Sequence, residues 1–125
     1  MVLKASVSSG ESPSEVRGIQ VASRIMTGWG LTLERQLRIL DLNSLSRPVP
    51  RLTSCQLRKL SLILNIHASL KELFSNPENP ACFMNAANYN APFFGKTPLM
   101  VIGSGKASDL QCLLDHLYHL QSGSW

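Results

Sequence analysis

The segment Thr53-Ser54-Cys55-Gln56, with the apolar-rich run behind it, constrains this chain more than any other feature. A threonine at a helix N-cap accepts a backbone N–H with its hydroxyl, and a glutamine three residues on returns a bond to the cap's own N–H. The helix opened this way is expected to reach about Phe74. Leu57, Leu60 and Leu64, with Ile63, Ile66, Leu70 and Leu73, occupy more than one of its stripes. A helix with one apolar face lies on a surface, whereas one with several is covered on more than one side. A central strut is predicted, with the other elements arranged around it.

On the N-terminal side, helical periodicity starts at Arg17. Ala22, Ile25, Met26 and Trp29 share a face, and Gly28 and Gly30 punctuate the end. Thr32 is placed to cap a second helix, with Glu34 near the positive end of its dipole and Leu33, Leu37 and Leu40 as its expected inward stripe. Residues 1–16 include many serines, Gly10 and Pro13, show no sustained period, and read as a flexible arm outside the core. Residues 41–51 contain Pro48 and Pro50 and leave room for one helical turn at most. On the C-terminal side, Asn76-Pro77 and Asn79-Pro80 both signal a helix start, and Thr97-Pro98 opens a short helix that Gly103 stops. Residues 85–94 form a polar-aromatic loop. Leu110, Leu113, Leu114 and Leu117 give the final helix, over 106–121, a clean apolar face. The expected class is all-α.

The 44 % share of hydrophobic residues in a chain of 125 allows a core. The longest apolar candidate for a membrane span, residues 60–66, is interrupted by Ser61 and Asn65, so no membrane partner is expected. The first dozen residues hold no apolar run of the secretory kind, and Cys55, Cys82 and Cys112 lie far apart without a CxxC pair, which predicts a chain of the reducing cytoplasm. The net charge of +4 is divided unevenly, with +5 over residues 1–60 and −1 over 61–125. Arg35, Arg38, Arg47, Arg51, Arg58 and Lys59 make up the basic set, which is either a solvated helical surface or a contact for nucleic-acid phosphates.

Candidate chemistry is sparse. Ile102-Gly103-Ser104-Gly105-Lys106 looks like a phosphate loop, but Met100 and Ala107 stand where a nest glycine and a magnesium-binding hydroxyl are required. The dinucleotide pattern fails too, because Ser108 holds the third glycine position. Cys112, His116 and His119 are spaced to approach one another on the final helix, yet no further ligand is near in sequence, and His67 reads as a packed histidine. No nucleophile–base pair can be assembled. No catalysis, metal or cofactor is expected. The closing Trp125 either folds back on the last helix or enters a partner's pocket.

Two blocks, Gly28-Trp29-Gly30-Leu31-Thr32-Leu33-Glu34 and the run from Leu52-Thr53-Ser54-Cys55-Gln56 to Ile66, resemble the N-terminal part of the Xre/MbcA/ParS-type antitoxins. Phe93-Phe94-Gly95-Lys96-Thr97-Pro98-Leu99, the turn at 105–110 and Ser122-Gly123-Ser124-Trp125 resemble that family's toxin-binding domain, in the same order. The resemblance covers residues 17–125. It implies a bacterial type II antitoxin, a homodimer whose partner is a RES-domain toxin related to ADP-ribosyltransferases that consumes or uses NAD. The implied fold is a degenerate Xre-like helix-turn-helix half packed through the long central helix onto a small helical toxin-binding domain. The implied division is an arm over 1–16, the Xre-like region over 17–60 and the toxin-binding domain over 61–125. Toxin contacts map onto Phe93, Phe94, Gly95, Lys96, Pro98, Leu99, Ser122, Gly123, Ser124 and Trp125, which would cover or help cover the toxin's active site. Contacts to the operon's promoter map onto Arg35, Arg38, Ser44, Ser46, Arg47 and Arg51. The segment 41–50 departs from the family by being shorter by about one helical turn, which removes base-reading side chains and leaves mainly phosphate contacts. A DNA-binding repressor of Xre type with no toxin-blocking role is the alternative.

Overall fold

The computed structural model describes residues 13–42, 52–76, 78–89 and 93–122. Within them run six helices: α1 (Pro13–Gly28), α2 (Leu33–Leu40), α3 (Ser54–Leu73), α4 (Asn79–Asn85), α5 (Pro98–Ile102) and α6 (Ala107–Gln121). The protein is all-α. The described residues hold no sheet, only an isolated antiparallel bridge between Asn88 and Lys96.

Helix α3 is the strut expected from its cap and stripes. Thr53 Oγ1 accepts from Gln56 N at 3.1 Å and Gln56 Oε1 accepts from Thr53 N at 2.8 Å, so both halves of the capping box are present. The same carboxamide donates through Nε2 to the carbonyls of Leu40 at 3.1 Å and Asp41 at 2.8 Å. One buried glutamine therefore satisfies orphan groups at the end of α2 and at the start of α3. Along its length α3 packs most extensively on α6, then on α1 and α2. Leu60, Ile63, Ile66 and Leu70 enter the core from α3, opposite Leu110, Leu113, Leu114 and Leu117 of α6. The two-sided cover is incomplete, because Leu57 and Leu64 remain 41 % and 37 % exposed. Lys59, expected on the basic surface, is buried instead.

Two expectations about the N-terminal half are corrected. Helix α1 begins at Pro13, not Arg17, so residues 13–16 belong to the helix and only 1–12 of the expected arm lie outside the described residues. Proline at a first helical position has φ already set and loses no hydrogen bond, and Glu15 suits the first turn. Val16 is buried, and Glu15 Oε2 accepts from Leu52 N at 3.4 Å, which joins α1 to the approach of α3. In α2 the buried positions are Gln36, Ile39 and Leu40, while Leu33 and Leu37 are only partly covered. Gln36 is fully buried because its polar atoms are matched. It accepts from Ser23 Oγ at 2.7 Å and donates to Thr27 Oγ1 at 2.9 Å and to Leu31 O at 3.0 Å, tying α2 to α1 through a closed polar node.

Helix α4 starts beside Pro80 and is anchored by Asn85, whose Nδ2 donates to Trp29 O at 2.9 Å and to Ala81 O at 2.8 Å. The Gly-Ser-Gly-Lys segment between α5 and α6 has a packing role. A Cβ on Gly105 (φ +78°) would lie 3.2 Å from the carbonyl oxygen of Arg38, so a bare backbone lets this turn approach the end of α2. No helix among the described residues is long and apolar enough to cross a membrane.

Candidate interaction surface at the Phe94 turn

Residues 93–96 make a tight turn in which Lys96 N donates to Phe93 O at 3.1 Å. Its two central residues, Phe94 and Gly95, have φ of +50° and +92°, the values of a type I′ turn. Glycine adopts that region without cost. Phenylalanine does not, and the strain is of order 1–3 kcal/mol. The turn is held by the bridge to Asn88: Asn88 N donates to Lys96 O at 3.0 Å, and Gly95 N donates to Asn88 O at 2.7 Å.

The turn sends two adjacent phenylalanines in opposite directions. Phe93 is fully buried, with its ring perpendicular to that of His116 at a centroid separation of 5.0 Å. Phe94 is 75 % exposed. Tyr89, 81 % exposed, lays its ring over Gly95, where an added Cβ would sit 3.4 Å from its Cε1. Met100, on the outer side of α5 and 65 % exposed, shares with Phe94 a shallow depression of about 270 Å³ that Lys96, Ser104 and Asp109 border. Three of the large exposed apolar side chains among the described residues thus gather on one face. Exposed apolar groups scattered singly are ordinary, whereas a cluster is a candidate contact surface. At its edge Ser104 Oγ donates to Asp109 Oδ2 at 2.5 Å and accepts from Lys106 N at 3.1 Å, which ties the turn after α5 to the first turn of α6.

The residues expected to face a toxin divide by burial. Phe94 and Lys96 are exposed, Gly95 is half-buried, and Ser122 is exposed at the end of α6. Phe93, Pro98 and Leu99 are buried; they support the surface and do not form it. Gly123, Ser124 and Trp125 lie outside the described residues. Of the positions expected to meet DNA, Arg35 and Arg38 are exposed on α2, with Arg38 Nη2 3.7 Å from Glu34 Oε1; Ser44, Ser46, Arg47 and Arg51 lie outside the described residues. Sequence reasoning missed Tyr89 and Met100. A usable signal existed for Met100: in Leu99-Met100-Val101-Ile102 four successive apolar residues on one short helix cannot all face inward.

Cys55, Cys82 and Cys112 are free and exposed. No group of three His, Cys, Asp or Glu side chains among the described residues is arranged to hold a metal, and His116 packs on Phe93. Burial pushes His116 below its ordinary value of 6.5, with a further contribution from His119. His67 is lowered by burial and then by Lys71. Both imidazoles are therefore more readily protonated in the unfolded chain than in the native one. Their contribution to stability is complete above pH 6.5 and is lost as pH falls through the native values. Melting temperature should decline between pH 7 and about pH 5, and the double variant His67→Gln/His116→Gln should flatten that decline; an equally steep decline in the variant would exclude these two groups as its cause.

No protein-family model, curated protein or solved structure matches this chain.

Proposed function

We propose that the chain is an antitoxin that neutralises a RES-domain, NAD-consuming or ADP-ribosyltransferase-like toxin by inserting the Phe94 face into the mouth of its active site. The observation that supports this most is Phe94 itself, strained in its backbone and exposed in its side chain, beside Tyr89 and Met100. Strain and apolar exposure both oppose folding, and a surface that combines them gains from being covered by a partner. Phe94, Tyr89 and Met100 supply apolar area for a desolvated centre, and Lys96 supplies a cation at the rim. Inhibition is by occlusion, so no residue of this chain takes part in bond making. Ser122 follows the last residue of α6, and the segment 122–125 serves as a second contact.

The proposal requires a RES-domain protein encoded beside this chain and is tested by co-expressing the two. The two chains should co-purify, and the complex should leave cellular NAD intact where the toxin alone depletes it. Deleting residues 122–125 should weaken protection while preserving the helical circular dichroism signal. Undiminished NAD loss in the presence of this chain would refute the assignment.

A second reading, repression of its own operon, is supported by Arg35 and Arg38, which sit exposed one turn apart on α2. Binding to promoter DNA should weaken steeply with salt. The double variant Arg35→Ala/Arg38→Ala should reduce the log–log slope by about 0.9 for each phosphate that is no longer neutralised. An unchanged slope would leave these arginines as solvated surface.

A further inference from the structure

A cleft of about 450 Å³ lies away from the Phe94 turn, between the C-terminal ends of α1 and α3 and the start of α4. Ile25, Trp29 and Phe74 provide its apolar floor and wall, and Arg24, His67 and Lys71 border it. No described acidic residue lines it. Neither Arg24 nor Lys71 forms an ion pair with another described residue, the Glu34–Arg38 pair being elsewhere. A cation at a helix C-terminus is favoured by the helix dipole, which accounts for Lys71 in the last turn of α3. It does not account for Arg24, since the last turn of α1 holds no basic residue. The cleft is open where side chains would otherwise fill it: a Cβ on Gly28 would meet nothing within 4 Å. It is also preformed, because Asn85 binds the carbonyl of Trp29 at 2.9 Å and so fixes α4 against α1.

We propose that this cleft binds a small organic anion, an apolar ring or chain bearing one carboxylate-like group. The apolar body would lie on Trp29, Ile25 and Phe74, and the charge would lie between Arg24 and Lys71. Cavities of this size suit small molecules, and a few convergent polar groups at an apolar floor are what orient them. Two cations without an acid lack only a negative charge, and an anion supplies it. His67 is held neutral by burial and by Lys71, so it is available as a hydrogen-bond partner to the same group. The inference does not depend on the antitoxin proposal, because none of these residues belongs to the Phe94 face.

The test titrates 2-naphthoate into the full chain and follows amide and indole resonances. Saturable shifts are expected at the Trp29 indole and the Gly28 amide, with the neutral 2-naphthylmethanol binding at least tenfold more weakly. Arg24→Gln/Lys71→Gln, at two exposed positions, should lower the affinity for 2-naphthoate at least tenfold while leaving the spectrum otherwise intact. Gly28→Leu should fill the cleft and remove binding; leucine is the better helix former, so the helical circular dichroism should persist. Were that variant to misfold, the charge variant decides alone. Absence of a saturable shift, equal affinity for acid and alcohol, or naphthoate binding indifferent to the loss of both cations would overturn the proposal.

Discussion

Phe94→Asn is expected to raise the melting temperature of this protein and, on the antitoxin proposal, to weaken its binding to the toxin. Asparagine accepts the left-handed region far more readily than phenylalanine and is favoured at this position of a type I′ turn. Relief of the φ of +50° should contribute about 1 kcal/mol, or a few degrees in a chain of this size. Little is lost in exchange, since three quarters of the Phe94 side chain is in water. At an interface the sign reverses. An aromatic anchor at the centre of a contact carries about 2 kcal/mol or more, so affinity should fall by roughly thirtyfold or beyond. Phe93→Ala is the contrasting control: it removes a fully buried ring and should cost about 3–5 kcal/mol of stability. Calorimetry on the three proteins, with a partner titration on Phe94→Asn, separates the roles. A lowered melting temperature for Phe94→Asn would show that the ring is structural, and unchanged partner affinity would remove the Phe94 face from the interface.

The second large effect is expected at Gln56. Gln56→Glu keeps the shape of the side chain and the acceptor for Thr53 N, so the capping box survives in form. It loses both donations, to Leu40 O and Asp41 O, and places a carboxylate against two carbonyls at the negative end of α2. Leaving two such groups unmatched in a largely buried position should destabilise the fold by about 2–4 kcal/mol at neutral pH. The new carboxyl is favoured in its protonated form in the native state, because only that form can donate. Its native pKa is therefore raised above the unfolded value, and the stability it contributes is present at low pH and lost as pH rises through the native value. Denaturant unfolding should find Gln56→Glu closest to wild type below about pH 4 and furthest from it at pH 7. Gln56→Ala should be destabilised with no such pH dependence. A pH-independent defect in Gln56→Glu would mean that the bonds to α2 contribute nothing.

Local chemistry settled much of the architecture. Thr32, Thr53 and Thr97 each cap the helix that the sequence assigns to it, because a cap needs only a hydroxyl and the N–H groups within the next turn. The leucine stripe of α6 was legible for the same reason: its period is a property of one helix. Residues 13–16 were misread, since serine, glycine and proline in the preceding stretch resemble a loop until Val16 has a core to enter. The surface was less legible than the frame. Phe93 and Phe94 are chemically identical neighbours, and nothing in their order says which is buried; the bridge to Asn88 and the left-handed turn decide it.

What the amino-acid order determined by itself is the all-helical class, the threonine-capped starts of α2, α3 and α5, and the leucine face of α6 that must be hidden. Tertiary structure alone decided where the polar exceptions go: Gln36 to the centre of α1 and α2, Gln56 across two helix ends, Gly105 against the backbone of α2, and Arg24 beside Lys71 over a shared cleft. Helix signals act over one turn of chain, so they can be read along it. Contacts between residues from 13 positions apart, Ser23 to Gln36, to 67 apart, Arg38 to Gly105, exist only once packing has brought their atoms within about 3–4 Å of one another.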